Sequence, residues 1–466
     1  MTSNIDELRQ FRSRVLKEVA RMTWQHRLEE DVENLLAQLI EQGAVPGKHE
    51  LDKRDRAEKH IRLAMGLDPD GKGETLKSAA QRAIKQTRGE LPVVLPAGQC
   101  VECTDNSACS TACPMGAIDR DADLGLQINQ ENCNSCGMCI TACTLSNLAD
   151  KAEFVPLLNI LQDHTGPVFA AVAPAFTGQF GPEVTPGKLR SALRQMGFVE
   201  MAEVSFFADI LTIKEAYEFN HLVKKREDFM ITSCCCPVWI NLLEKQFPAL
   251  LKNVSPSVSP MIAAGRVLKT AVPDAKVVFI GPCVAKKAEA RHKHLTEAID
   301  FVLTFKELAM IFEAIELDPA ILDDTENPQA SWGGRAYART GGVTEAISKT
   351  LEKIAPGRSV KLEPIVVDGI PACHQIMRDA MAGTLTANFI EGMACRGGCI
   401  GGPGVNIDQV LGTRCVEAYC KQAAAPTPLD NKEVDRILHD LKLDDMKHIT
   451  GDGHVAKMLQ HELTRQ

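Results

Sequence analysis

The sequence predicts a three-part chain: an N-terminal helical module, a small cysteine-dense α+β domain, and an α/β domain whose parallel or mixed sheets are flanked by helices. Three observations carry this. No cysteine precedes Cys100, and apolar residues in that stretch recur at helical spacing. Eight cysteines then fall between Cys100 and Cys143. From about residue 154, short apolar runs alternate with helical stretches, the pattern of α/β units. The parts are placed at 1–95, 96–150 and 151–425, with a helical tail over 426–466.

Composition sets the outer limits. A chain of 466 residues that is 45% hydrophobic can bury a large core. No apolar run approaches the ~20 residues that span a bilayer, and the first residues are charged rather than signal-like, so a cytoplasmic protein is expected. The formal charge of -9 argues against a nucleic-acid partner, which needs a basic face. Seventeen cysteines, an odd and clustered set in a long chain, point to thiolate ligation rather than disulfides.

Residues 4–43 read as amphipathic helix through Val15, Val19, Met22, Leu35, Leu36 and Leu39, broken at Gly43-Ala44-Val45-Pro46-Gly47. Two more helices are expected at about 50–65 and 75–88, ending before Pro92. The run Asp68 to Glu74 has some look of a calcium loop. Lys72 and Ala79 stand where oxygen ligands belong, so it reads as a solvated turn.

The next block is Cys100-x2-Cys103-x5-Cys109-x3-Cys113-Pro114, then Cys133-x2-Cys136-x2-Cys139-x3-Cys143. Its second half is similar to the run of two-cluster ferredoxins, in which three close cysteines hold one cluster and the fourth holds the other. That resemblance implies a ferredoxin-like domain. One [4Fe–4S] cluster would take Cys100, Cys103, Cys109 and Cys143, and a second Cys133, Cys136, Cys139 and Cys113. The long gap from Cys103 to Cys109 and Thr144 in place of a proline depart from the pattern without removing a ligand.

In the α/β part, strands are expected at Val168 to Val172, Val277 to Ile280 and Lys361 to Val367, and a charged helix at Asn431 to Leu443. Three loop segments stand out: Thr232-Ser233-Cys234-Cys235-Cys236-Pro237-Val238-Trp239, Gly281-Pro282-Cys283-Val284-Ala285-Lys286-Lys287, and Glu391-Gly392-Met393-Ala394-Cys395-Arg396-Gly397-Gly398-Cys399. Cysteines gathered with Gly and Pro in loops suit thiolate ligands, and soft thiolates select iron–sulfur clusters, zinc or copper(I).

In order and internal spacing these segments resemble the three cluster-binding motifs of the [FeFe]-hydrogenases, over roughly residues 165–420. The resemblance implies an H-cluster: a [4Fe–4S] cubane joined through a cysteine to a diiron unit with carbonyl, cyanide and bridging dithiolate amine ligands. It places the cubane on Cys236, Cys283, Cys395 and Cys399, with Cys399 bridging. It gives Lys286 a contact to cyanide, packs Met393 over the diiron unit, and makes Cys235 the proton-relay thiol. It also implies a relay Glu218, Ser255, Glu215, Cys235, and Leu222 stands where an arginine often opens that route. His221 and Lys225 are the candidates to substitute.

Further departures are Gly281 for a methionine, Met261 for a glutamine, Ala175 for a serine and Arg396 for a proline. They predict an altered surround of the site. Cys234 has two readings: a spare buried thiol, or a thiol that shields the open iron from oxygen. Cys373 reads as core, and Cys415 and Cys420 receive no ligand role. The implied activity is the reversible reduction of protons to dihydrogen. Its partners would be ferredoxin or a similar electron carrier, protons and dihydrogen as substrates, and maturation proteins that build the diiron unit. The rival expectations are a non-catalytic iron–sulfur assembly factor and a dihydrogen sensor.

Overall fold

The computed structural model describes residues 2–461 other than 44, 46–49, 72, 98–107, 122–124, 144–146, 326, 444–452 and 454–457. Four helices open the chain, Thr2–Trp24, Leu28–Glu41, Glu50–Ala64 and Leu76–Lys85. The single amphipathic helix expected over 4–43 is thus two. His26 takes a left-handed backbone (φ 54°), which ends the first helix with neither Gly nor Pro to announce it. The second helix then buries Leu28, Val32, Leu35, Leu36 and Leu39. Thr75 caps the fourth, accepting from the Ser78 amide at 3.2 Å. These helices do not form a core of their own. Phe11, Val15 and Val19 pack in one continuous apolar core with Val168, Val277 and Phe301 of the α/β part.

The cysteine-dense segment holds strands β1 (Val94–Pro96), β2 (Ile118–Asp121), β3 (Gly125–Ile128) and β4 (Leu148–Asp150). β1 pairs antiparallel with β4, and β2 with β3. Two short helices, Ala108–Ala112 and Met138–Ala142, bury Cys109 and Cys139.

Seven strands follow: β5 (Val168–Val172), β6 (Glu200–Glu203), β7 (Met230–Ile231), β8 (Lys276–Gly281), β9 (Phe301–Thr304), β10 (Pro364–Asp368) and β11 (Phe389–Met393). They form two parallel sheets, one ordered β6-β5-β8-β9 and one β10-β11-β7. Parallel strands are covered on both faces by helices and so read as unbroken apolar runs, as VFAAV and FVLT do here. β10 starts later than the expected Lys361. The Asn388 side chain brackets the approach, donating to the Lys361 carbonyl and accepting from the Glu363 amide, both at 2.8 Å. The late helix spans Lys432–Asp440, capped by Asn431. Among the described residues, no helix is long and apolar enough to cross a membrane.

One close approach fixes the second sheet. A Cβ on Gly392 would lie 2.5 Å from the ring of Trp239, which is fully buried and donates its Nε1–H to the Thr232 carbonyl at 2.9 Å. Gly392→Ala is therefore expected to cost about 1–3 kcal/mol, the usual penalty of overpacking. A denaturation midpoint equal to that of the parent would contradict this.

Candidate functional site

The three cysteine loops leave the C-terminal ends of strands in different sheets, where open α/β sheets hold ligands. The loop after β8 carries Cys283, and those after β7 and β11 carry Cys236 and Cys395. Cys236 is the residue before Pro237, which starts helix Pro237–Gln246. Cys399 opens a short turn after Gly397 (φ 77°) and Gly398 (φ 86°). A Cβ on Gly398 would lie 2.7 Å from the Thr340 amide, so the sharp turn toward the centre needs glycine there.

The four thiols lie near enough to act on one another, although among the described residues no three such side chains stand close enough to hold a single metal ion. Burial first, then the neighbouring Cys236, pushes the Cys283 thiol up to about 11. Burial, Cys236 and Cys283 push Cys399 up to about 12. Burial raises Cys395 well above the ordinary thiol range, with Cys283, Cys236 and Cys399 adding to it. Four half-buried soft sulfurs that repel one another as anions, spaced too widely for one ion, fit the cationic core of an iron–sulfur cluster. Cys136 reaches the same apolar patch as Cys236 and Cys283.

Of the eight cysteines expected to hold two further clusters, Cys100 and Cys103 lie outside the described residues. At Cys113, Cys133 and Cys143 a backbone amide donates to the sulfur at 3.3 Å, from Ala117, Ser135 and Asn147 respectively. Such N–H bonds orient and stabilise thiolates.

Helix Val204–Leu222 carries Glu215 and Glu218, both buried. Glu218 accepts from Ser255 Oγ at 2.8 Å. Glu215 accepts from Thr232 Oγ1 and from Cys234 Sγ, the latter at 3.0 Å. The expected order ended on Cys235, whereas the thiol that meets Glu215 is Cys234. The reason is Ser233, whose left-handed backbone (φ 72°) and a Cys236 amide bond to its carbonyl at 3.0 Å turn the chain. The alternation of an extended strand is lost. Cys235 instead packs with Met393, Tyr337 and Cys236. Burial and the sulfurs of Cys399 and Cys236 raise its thiol well above the ordinary range. Burial, then Glu218, pushes Glu215 up to about 7.

Lys286 is buried, with its ammonium 2.6 Å from Glu289 and facing the ring of Phe279. Lys287 beside it is buried as well. Phe279 also accounts for Gly281. A Cβ there would lie 2.5 Å from the phenyl edge, so the ring fills room that a larger side chain would need. Ala175 and Met261 are buried, and Arg396 is exposed. Cys373 sits in the core, its thiol 3.5 Å from the Met393 carbonyl.

Two residues escaped sequence reasoning. Lys214 is fully buried and donates to Glu218 and to Ser257 Oγ, the latter at 2.9 Å. Ser257 Oγ also lies 3.0 Å from Ser255 Oγ. The signal for Lys214 was its four-residue spacing from Glu218 on one helix. Leu222 is 52% exposed at the helix end, and His221 and Lys225 are exposed too. Arg358 caps that end, donating to the Asn220 carbonyl at 2.9 Å.

Residues 166–403 match the family described as iron only hydrogenase large subunit, C-terminal domain. The chain is 31% identical over 305 residues to iron hydrogenase 1 of Clostridium pasteurianum, covering 55% of this chain and 53% of that protein. It is 29% identical over 351 residues to the NADP-reducing hydrogenase subunit HndD of Solidesulfovibrio fructosivorans, covering 63% and 60%. The chain thus spans little more than half the length of these relatives. A cytosolic Fe-S cluster assembly factor of Scheffersomyces stipitis also matches, 28% over 216 residues. An apo [FeFe]-hydrogenase from Chlamydomonas reinhardtii shares the fold, with a TM-score of 0.53 at 24% identity over 66% of this chain and 97% of that one. With the family match covering just over half of its length, the chain belongs to the family defined by the C-terminal domain of iron-only hydrogenase large subunits.

Proposed function

We propose that this chain is an [FeFe]-hydrogenase that interconverts protons and electrons with dihydrogen. The observation that carries this reading is the buried hydrogen-bonded set Cys234–Glu215 and Ser255–Glu218, adjoining Cys235, whose thiol neighbours Cys236 and Cys399. A protein that only stored or transferred a cluster would have no use for buried acids of this kind, which carry protons to a site that bulk water cannot reach.

Cys236, Cys283, Cys395 and Cys399 would hold the cubane of the H-cluster. The ferredoxin-like segment would hold two [4Fe–4S] clusters, with Cys100 and Cys103 among their ligands. When bound, the H-cluster supplies redox-active iron with an open position for the substrate. The protein's own residues do the rest. Lys286, whose ammonium rests on Glu289, would offer its positive charge and remaining N–H donors to the anionic diatomic ligands. Met393, packed with Cys235, would give the site an apolar wall. Cys235 stands next to the ligand sulfurs, while Cys234 and Glu215 hold a proton one step further out. Cys136, which shares an apolar patch with Cys236 and Cys283, would be the ligand through which electrons from ferredoxin or a similar carrier reach the cubane.

The test is infrared spectroscopy after co-expression with the maturation proteins, with dihydrogen evolution assayed on the same sample. Carbonyl and cyanide bands together with dihydrogen evolution are expected. A sample that has its iron–sulfur absorbance but neither those bands nor gas evolution would overturn the reading in favour of an assembly factor.

A further inference from the structure

Protons need a way in, and the helix end beyond Glu218 shows solvent the apolar Leu222 beside His221 and Lys225, with no contact from these to the relay among the described residues. A cavity of about 400 Å³ that does not include that helix end reaches the relay itself. Its lining runs from buried Cys234, Ser255 and Ser257 to Leu91, which is 53% exposed. His292 and His461 line it as well, with ring centroids 5.2 Å apart. The Nδ1 atoms of both are buried and have no hydrogen-bond partner among the described residues. The volume far exceeds the ~10–15 Å³ that one water needs, and the hydroxyls, the thiol and the two imidazoles supply the polar partners that keep water in place.

We propose that this cavity is the proton entrance, and that Ser257 with Lys214 forms the step between its water and Glu218. The proposal rests on the hydrogenase reading. Ser257 lines the cavity, and its Oγ lies 2.9 Å from Lys214 Nζ, which also donates to Glu218. The transfer balances in place. Lys214 gives an N–H proton to the Glu218 carboxylate, leaving a neutral amine and a neutral acid. The Ser257 hydroxyl proton restores the ammonium, and a hydronium in the cavity restores the hydroxyl, becoming water. One proton moves from cavity to Glu218. Cys234, in the same lining, gives cavity water a second contact, to Glu215. Lys214 is therefore a relay residue rather than a structural cation.

Two substitutions test this in the matured full chain. Asn241→Phe places a ring in the cavity from a half-buried lining position, and Ser257→Ala removes one oxygen. Each is expected to lower dihydrogen evolution roughly 100-fold, the low end of what a lost proton-transfer group removes. Leu222→Arg is expected to leave the rate unchanged. A second readout needs no cluster: in D2O the Cys234 S–H infrared band, assigned by its loss in Cys234→Ala, should shift at once in the parent and slowly in Asn241→Phe. Should the bulky ring prevent folding, Ser257→Ala and the parent's exchange carry the test. Unchanged rates in both variants, a faster Leu222→Arg enzyme, or slow exchange in the parent would each overturn the proposal. A parent that exchanges quickly but evolves no dihydrogen would instead count against the hydrogenase reading.

Discussion

Glu215→Gln in the matured protein is expected to slow dihydrogen turnover by roughly 100- to 10,000-fold, the range that general acid–base groups supply. The carboxylate is fully buried and is held by Thr232 and by Cys234 at 3.0 Å. Burial, and then the like charge of Glu218, push it up to about 7, so near neutral pH it both accepts and releases a proton. Glutamine keeps the shape and an acceptor but does neither. The turnover of the parent should bend near pH 7, and that bend should be missing from the variant. Stability gives an independent sign. A carboxyl whose folded pKa lies above its ordinary 4.5 favours the native state less and less as pH rises from 4.5 through 7. The variant should therefore gain on the parent in unfolding experiments at pH 8 relative to pH 4. Full turnover in a variant with unchanged cluster content would remove Glu215 from the relay.

Lys287→Met is expected to destabilise the chain by about 3–5 kcal/mol, the cost of leaving buried charges without their partner. The Lys287 ammonium lies 2.8 Å from Asp150, 2.7 Å from Glu307 and 2.7 Å from the Lys151 carbonyl, and the side chains of Lys287, Asp150 and Glu307 are buried. Burial alone would raise the Asp150 carboxyl, but Lys287 and then Arg12 outweigh it and hold it well below the usual carboxylate range. Burial alone would lower Lys287, yet Asp150 and Glu307 outweigh that and hold it above the usual lysine range. The contribution of the pair is complete above the ordinary aspartate value of 3.8 and fades as pH falls below it. It also fades as pH climbs past the ordinary lysine value of 10.5. The deficit of the variant should be widest between those limits and shrink in acid. Denaturation midpoints at pH 7 and pH 3 measure it, and a midpoint at pH 7 matching the parent would refute it. Because Asp150 belongs to β4 and Glu307 to helix Phe305–Ala314, the loss should also loosen the cysteine-dense segment from the α/β part.

What the sequence disclosed follows from where its information is local. Strands Val168–Val172 and Lys276–Gly281 were legible because burial on both faces leaves unbroken apolar runs. The grouping of the cysteine loops at strand ends was legible because those loops mark themselves with Gly and Pro. The break at His26 was not, since only tertiary packing chose a left-handed residue there. Nor could alternation say that Cys234 rather than Cys235 meets Glu215, because the turn at Ser233 cancels the period on which that argument depends. Lys214 was hidden for a related reason. A lysine on a helix normally reads as solvated, and it is kept inside by Glu218 one turn on and by Ser257, 43 residues away in sequence.

Cys283 departs from the four-stranded sheet, whereas Cys236 and Cys395 depart from the three-stranded one, and each sheet lies in its own apolar packing. Each half can thus acquire its shape on its own, and under the proposed function metal insertion would be a late clasp across a joint that already exists. Helix content should then say little about whether the centre has been filled. Resistance to proteolysis along the joint is the property that should change.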